Sequence, residues 1–302
     1  MKKFVCKAAI LWLLIFVTLI IIMMFPAPYN DYIQAIHDKH QRLINTTAPR
    51  IVLAGGSNLA FGIDSAALEK VLHIPVVNIS IHAGIGLGRI LDDIAPFLLP
   101  GDMLIIAPEY SHFTSEWNGN AAAYELIADT QNHLLLAHIS RYGLPAELST
   151  YTKSKLLRLI PQQPAYSRDG FNEYGDYIKH LETENQPITP KEPLGTINTT
   201  YLSQFFRLVD SFTRRGISVI ITYPSYEETS FRNSTALIHE LDAAFRTKQN
   251  ITVISSPENY CFPVDFFYDT VYHLNAKGRE TRTAQLIQDL ASQFMQSITS
   301  EQ

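Results

Sequence analysis

Cysteine is nearly absent. Cys6 and Cys261 are the two in 302 residues, too few and too widely spaced for the disulfide framework of a small secreted domain. Charge is sparse too: Asp, Glu, Lys and Arg make up 18% of the chain, with a balance of −5. That balance argues against a body built to neutralise nucleic-acid phosphates. No internal repeat or low-complexity run is visible, and 14 glycines and 16 prolines exclude collagen-like composition.

Apolar residues are plentiful but unevenly placed. Of the first 25 residues 21 are apolar, and the run from Ala8 to Phe25 holds no charge and one hydroxyl, Thr18. This is long enough to span a bilayer. A cleaved signal peptide would have a shorter apolar run followed by small residues, whereas Met23-Met24-Phe25-Pro26 follows here. The expectation is an uncleaved anchor over residues 1–25. Lys2, Lys3 and Lys7 precede it, so the positive-inside bias puts the amino terminus in the cytosol and the body on the extracytoplasmic side. Without those lysines the remainder carries a formal charge of −8. Cys6 lacks the small residues of a lipidation signal and reads as a membrane-edge thiol. Five glycosylation sequons (Asn45, Asn78, Asn198, Asn233, Asn250) matter only in a eukaryotic secretory route.

Residues 26–49 read as a polar, partly amphipathic stalk, helical over Asn30 to Asn45, that holds the body off the membrane. From residue 50 the pattern changes. Short, continuous apolar runs at 51–55, 76–81, 103–108, 218–224 and 251–256 have the character of strands buried on both faces. Helical patterns at 64–72, 88–99, 200–215, 234–248 and 275–295 alternate with them. The fold class expected is α/β, a doubly wound sheet of about five parallel strands over 50–302. The stretch at about 114–192 fits no strand–helix repeat. Its aromatics and prolines suggest an insertion that covers the site or a partner-docking surface.

Ligands in such sheets bind beyond the carboxyl ends of the strands. The first strand ends in Gly55-Gly56-Ser57, where a serine would be presented at the crevice. Alone, Ser57 could equally be a turn or helix-cap residue, and Leu59 spoils the G-x-S-x-G elbow. The loop before the last helix carries Asp269 and His273, an acid and a base of the kind a serine nucleophile needs. Their joint placement favours a Ser57–His273–Asp269 triad. His82, His112, Glu109 and His273 match no zinc spacing, so no metal is expected. Gly84-Ile85-Gly86-Leu87-Gly88-Arg89 fails the dinucleotide fingerprint because Arg89 replaces its last glycine, and no cofactor is expected.

At these residues the chain resembles the SGNH/GDSL hydrolase superfamily. Gly55-Gly56-Ser57 is similar to its first block, with Gly56 replacing the usual aspartate. Asp269 to Asn275 is similar to its last block, and Val77 to Gly84 to its second. The resemblance covers roughly 50–113 and 200–295. It implies an oxyanion hole formed by the amides of Ser57 and Gly84. One extra residue between acid and base resembles the D-x-x-Y-H-L-N form of membrane-anchored members that act near extracellular polysaccharide modification. The third block departs more sharply. Where the family offers an asparagine to the oxyanion, this chain has Ala107-Pro108-Glu109-Tyr110-Ser111-His112-Phe113. A carboxylate there would repel a developing oxyanion. Asn58, Tyr110 and Ser111 stand as alternative donors, and Glu109 as a neutral donor, a sugar-binding group or a partner contact; Asn58, Glu109 and Tyr110 are the expected substrate-binding residues.

The resemblance implies a tethered serine esterase or O-acyltransferase acting on O-acyl groups of a cell-envelope or extracellular polysaccharide. Its expected partners are the membrane, the carbohydrate and a membrane-bound O-acyltransferase. The alternative is a non-catalytic SGNH-like component that binds polysaccharide or assembles with that acyltransferase.

Overall fold

The structure, a computed structural model, describes residues 2–24, 31–120 and 165–300. Helix α1 (Lys2–Met24) contains residues 8–24 of the apolar run, with Phe4, Trp12 and Phe16 well exposed. Among the described residues no helix is long and apolar enough to cross a membrane, the side chains at 19, 20 and 22–24 lying outside that set.

The body is a five-stranded sheet: β1 (Ile51–Gly55), β2 (Val76–Asn78), β3 (Met103–Ala107), β4 (Ser218–Ile221) and, after the short β5 (Tyr226–Glu227), β6 (Thr252–Val253). All pairings are parallel, in the order β2-β1-β3-β4-β6. Successive strand residues feed two cores. Val52, Ala54, Leu104, Ile106, Val219 and Ile221 face one side, while Ile51, Leu53, Ile105, Ala107 and Ile220 face the other. This is why the strands read as continuous apolar runs rather than alternating ones.

On the first side lie α5 (Leu87–Ile94), α6 (Thr199–Arg214) and α7 (Glu228–Arg246). On the second lie α4 (Ser65–Leu72) and α8 (Ala276–Ser300), with Leu59 from α3 (Ser57–Gly62). The chain winds one way from β1 to β2 and the other way through β3, so the strand order reverses between β1 and β3. The crevice above that reversal is where such sheets bind ligands.

Several elements differ from the sequence expectation, each for a local reason. β2 stops at Asn78, whose Oδ1 accepts the Ser80 amide at 3.1 Å and turns the chain. α7 starts six residues early because Glu227 caps it, accepting the Thr229 and Ser230 amides at 2.8 Å. α5 gives way to a single 3₁₀ turn at Pro96. A separate parallel pair, β5 with β7 (Cys261–Phe262), was not legible at two residues per strand.

The stalk is corrected as well. α2 (Asp31–Asn45) does not stand apart from the body: Tyr32, Ile33, Ala35, Ile36 and Leu43 are buried in the first core. Lys39 is buried with them, and its ammonium donates to the carbonyls of Asn78 (3.1 Å), Ser80 (2.7 Å) and Gly175. Burial pulls that ammonium down to about 7. At the opposite end of the sheet Arg50 pairs with Asp102 at 3.1 Å, both buried, and donates to the carbonyls of Leu43 and Thr46 at the end of α2. Of the insertion, 121–164 lies outside the described residues. Its described part from 165 onward packs against α2 and α3.

Candidate active site

Ser57 is the first residue of α3, directly beyond β1. The turn that presents it is tight. A Cβ on Gly55 would stand 2.6 Å from the Ala107 carbonyl oxygen, and one on Gly56 would stand 2.3 Å from Glu109 Oε1. Gly56 has an extended backbone open to any residue; occupied space, not conformation, excludes a side chain there. As the first residue of a helix, Ser57 presents an amide among those that have no intrahelical acceptor.

His273 arrives from the loop before α8. Thr270 Oγ1 accepts the amides of Tyr272 (3.3 Å) and His273 (3.1 Å), and the Tyr268 amide donates to the His273 carbonyl at 2.8 Å. This compact turn brings Asp269 and His273, four positions apart, into contact. His273 Nε2 lies 2.8 Å from Ser57 Oγ, and His273 Nδ1 lies 2.8 Å from Asp269 Oδ1. The three residues predicted as a triad therefore form one continuous hydrogen-bonded relay. With the imidazole proton on Nδ1, the Asp269 carboxylate accepts it and Nε2 is left to accept the Ser57 hydroxyl proton. Burial would push the Asp269 carboxyl up, but hydrogen bonds from His273 and Tyr166 outweigh it and hold the group below its ordinary value.

Aromatic rings fix the imidazole. Phe61 stacks on His273 with centroids 4.0 Å apart and planes at 7°. Tyr166 meets it edge-on at 5.8 Å, and the Tyr166 hydroxyl donates to Asp269 Oδ2. Behind Phe61 is His180, which donates from Nε2 to the Leu274 carbonyl at 2.8 Å and which burial pulls down to about 4, leaving it neutral. Sequence reasoning singled out neither Phe61 nor His180, and named Tyr166 only among the aromatics of the insertion. A phenylalanine four residues past Ser57 has the helical spacing that returns to the same face, the one signal that could have found Phe61.

The oxyanion and substrate-binding expectations fare unevenly. The Gly84 amide donates to His82 Nδ1 at 2.9 Å, because His82 caps the 3₁₀ turn at Ala83–Ile85. That amide must exchange its partner before it can serve an oxyanion. Asn58 is fully buried: its Nδ2 donates to the Ala107 carbonyl (3.1 Å) and Glu109 Oε1 (3.4 Å), and its Oδ1 accepts Arg282 at 2.9 Å. Its side chain anchors the turn and is not presented to a substrate. Tyr110 is buried edge-on against Tyr226 in the core, and Ser111 donates to Glu116 at 2.7 Å. These placements correct the expected substrate contacts of Asn58 and Tyr110, and the donor role of Ser111.

Glu109 does reach the site. Its Oε1 accepts the Asn58 amide at 3.3 Å, immediately after Ser57, and its carboxyl fills the volume that a side chain on Gly56 would need. Burial pushes this carboxyl up to about 7 against the lowering effect of the Asn58 hydrogen bonds. His112 clamps the same loop: its Nδ1 accepts the Glu109 amide at 3.1 Å, and its Nε2 donates to the Ala83 carbonyl at 3.1 Å. Burial pulls it down to about 4. The structure also brings Asn120 to this loop. Its amide nitrogen donates to the Gly84 carbonyl at 2.7 Å, and a Cβ on Gly84 would stand 2.8 Å from its Nδ2.

Beyond this segment, between α5 and α6, lies a cavity of about 410 Å³ edged by Asp92, Asn118, Gln204, Arg207 and Ser211. Among the described residues no group of three or more His, Cys, Asp or Glu stands close enough to hold a metal ion. No family model, curated protein or solved structure matches the chain.

Proposed function

We propose that this chain is a serine-dependent acyl-transfer enzyme, an esterase or O-acyltransferase, whose nucleophile is Ser57. The observation that carries this reading is the unbroken relay Ser57 Oγ–His273 Nε2, His273 Nδ1–Asp269 Oδ1, with both links at 2.8 Å. Ser57 attacks an ester carbonyl as His273 takes its proton, and Asp269 holds the imidazole tautomer and steadies the imidazolium. The Ser57 amide receives the oxyanion, joined by the Gly84 amide once His82 releases it. Collapse of the tetrahedral intermediate returns the proton to the leaving alcohol and leaves an acyl-serine, which passes to water or to an acceptor hydroxyl.

The substrate class, an O-acylated polysaccharide of the envelope or exterior, follows from the resemblance to anchored SGNH/GDSL members. In this reading α1 anchors the chain in a membrane, the body lies on the extracytoplasmic side, and a membrane-bound O-acyltransferase supplies acyl groups. The test is hydrolysis of a small acetyl ester by the full chain. Ser57→Ala and His273→Ala should each abolish the activity; turnover that survives Ser57→Ala sinks the proposal.

A second reading, a non-catalytic polysaccharide-binding or assembly component, is favoured by two observations: the Gly84 amide is engaged by His82, and a carboxyl, Glu109, stands where an oxyanion donor is expected. Binding of polysaccharide without reaction of Ser57 toward an acyl donor would decide for it.

A further inference from the structure

We infer that Tyr166 is a positioning residue of the relay, a phenol donor held against the outer oxygen of Asp269. This rests on the acyl-transfer reading above. Asp269 uses its two oxygens separately: Oδ1 faces His273 Nδ1 at 2.8 Å, and Oδ2 accepts the Tyr166 hydroxyl. The same hydroxyl is 3.3 Å from His273 Nδ1, so phenol, carboxylate and imidazole form one compact triangle. Burial, then the bond to Asp269, raise the Tyr166 phenol far above its ordinary value, so it stays protonated and donates.

The ring is placed by two elements distant in sequence, Tyr32 on α2 (5.4 Å) and Phe61 on α3 (5.0 Å), and by Tyr177 of its own segment (5.5 Å). A phenylalanine would satisfy that packing equally well. The hydroxyl is what the packing does not require, and it ends on the acid of the triad.

A carboxylate bonded on both oxygens has a fixed plane and carries less charge on the oxygen that faces the imidazole. Tyr166 therefore orients His273 through Asp269 and limits how strongly the pair holds an extra proton. The other titratable groups facing this pair do not compete for Oδ2. His180 is neutral and donates to Leu274, Tyr32 donates to the Ile81 carbonyl, and Ser57 faces the far side of the imidazole. Tyr268, next to Asp269, has its ring against His180.

The test uses the full chain in non-ionic detergent with Tyr166→Phe and with 3-fluorotyrosine, a stronger donor, at position 166. In Tyr166→Phe the carboxylate recovers its charge and holds the imidazolium more tightly. The acid limb of the fluorophosphonate labelling rate should then move to higher pH by about half a unit or more, and the Nδ1 proton resonance of His273 should move downfield. Fluorotyrosine should move both the other way. An acid limb and a resonance that move in neither variant overturn the inference, as does a uniform loss of rate that only tracks a lower melting temperature. If Tyr166→Phe does not fold, the fluorotyrosine protein, which keeps both ring and hydroxyl, decides alone. If wild type is not labelled at all, the acyl-transfer reading falls, while the Nδ1 resonance still reports whether Tyr166 acts on the pair.

Discussion

Replacing Glu109 by glutamine separates the electrostatics of this site from its packing. The carboxyl is buried and raised to about 7, so the folded state holds a proton that the unfolded chain, with an ordinary glutamate near 4.3, releases earlier. A raised acid contributes stability at low pH, and that contribution is lost as pH climbs from the unfolded value through the folded one. Between pH 5 and 8 this amounts to roughly 2–3 kcal/mol for the one group, from linkage at about 1.36 kcal/mol per unit. Glutamine keeps an acceptor for the Asn58 amide and cannot ionise. Urea unfolding of both proteins in the same detergent at pH 5, 6, 7 and 8 cancels every other titrating group. The stability of Glu109→Gln relative to wild type should rise with pH by roughly 2–3 kcal/mol, most of it between pH 5 and 7. A difference that stays flat across this range would refute the placement of the carboxyl in a dry pocket beneath the nucleophile turn.

Other outcomes follow from the same geometry. Activity on a small acetyl ester should fall toward acid through a single protonation, since only a neutral imidazole can take the Ser57 proton; a flat profile from pH 5 to 8 would argue against His273 as base. Gly56→Ala sets a methyl 2.3 Å from Glu109 Oε1 and should lower acylation of Ser57 by about tenfold or more with little change in circular dichroism. Arg50→Ala strands the buried Asp102 carboxylate and should cost about 3–5 kcal/mol in urea unfolding. Deletion through residue 25 should leave a body with a cooperative unfolding transition, whereas deletion through residue 49 removes five buried apolar side chains of α2, on the order of 10 kcal/mol of burial, and should aggregate.

The parts of this molecule legible in its sequence are those in which one residue type recurs at a fixed period or stands at a strand end. The β1 and β3 runs are continuous because both faces are covered, and Ser57, Asp269 and His273 sit on turns that the α/β alternation locates. The α2 helix was legible, but not its burial: Lys39 lies among its buried residues, and the three carbonyls that receive its ammonium come from Asn78 at the end of β2, from Ser80 in the turn beyond it and from Gly175, far away in the chain. Tyr166 belongs to a segment with no period at all, so only the fold reveals that it meets Asp269. The Gly84 amide was expected to be free because nothing local shows that the His82 ring turns back onto it. Glycine at 56 and glutamate at 109 lie far apart in the sequence, and only the fold shows that the Glu109 carboxyl occupies the space a side chain at 56 would need.

The central claim is that Ser57 is a nucleophile primed by His273. Treating the full-length chain with a fluorophosphonate and mapping the adduct by peptide mass spectrometry tests it directly. A single adduct on Ser57, absent in Ser57→Ala and strongly reduced in His273→Ala, is the predicted result; folded wild-type protein with no adduct, or with one on another residue, would contradict it.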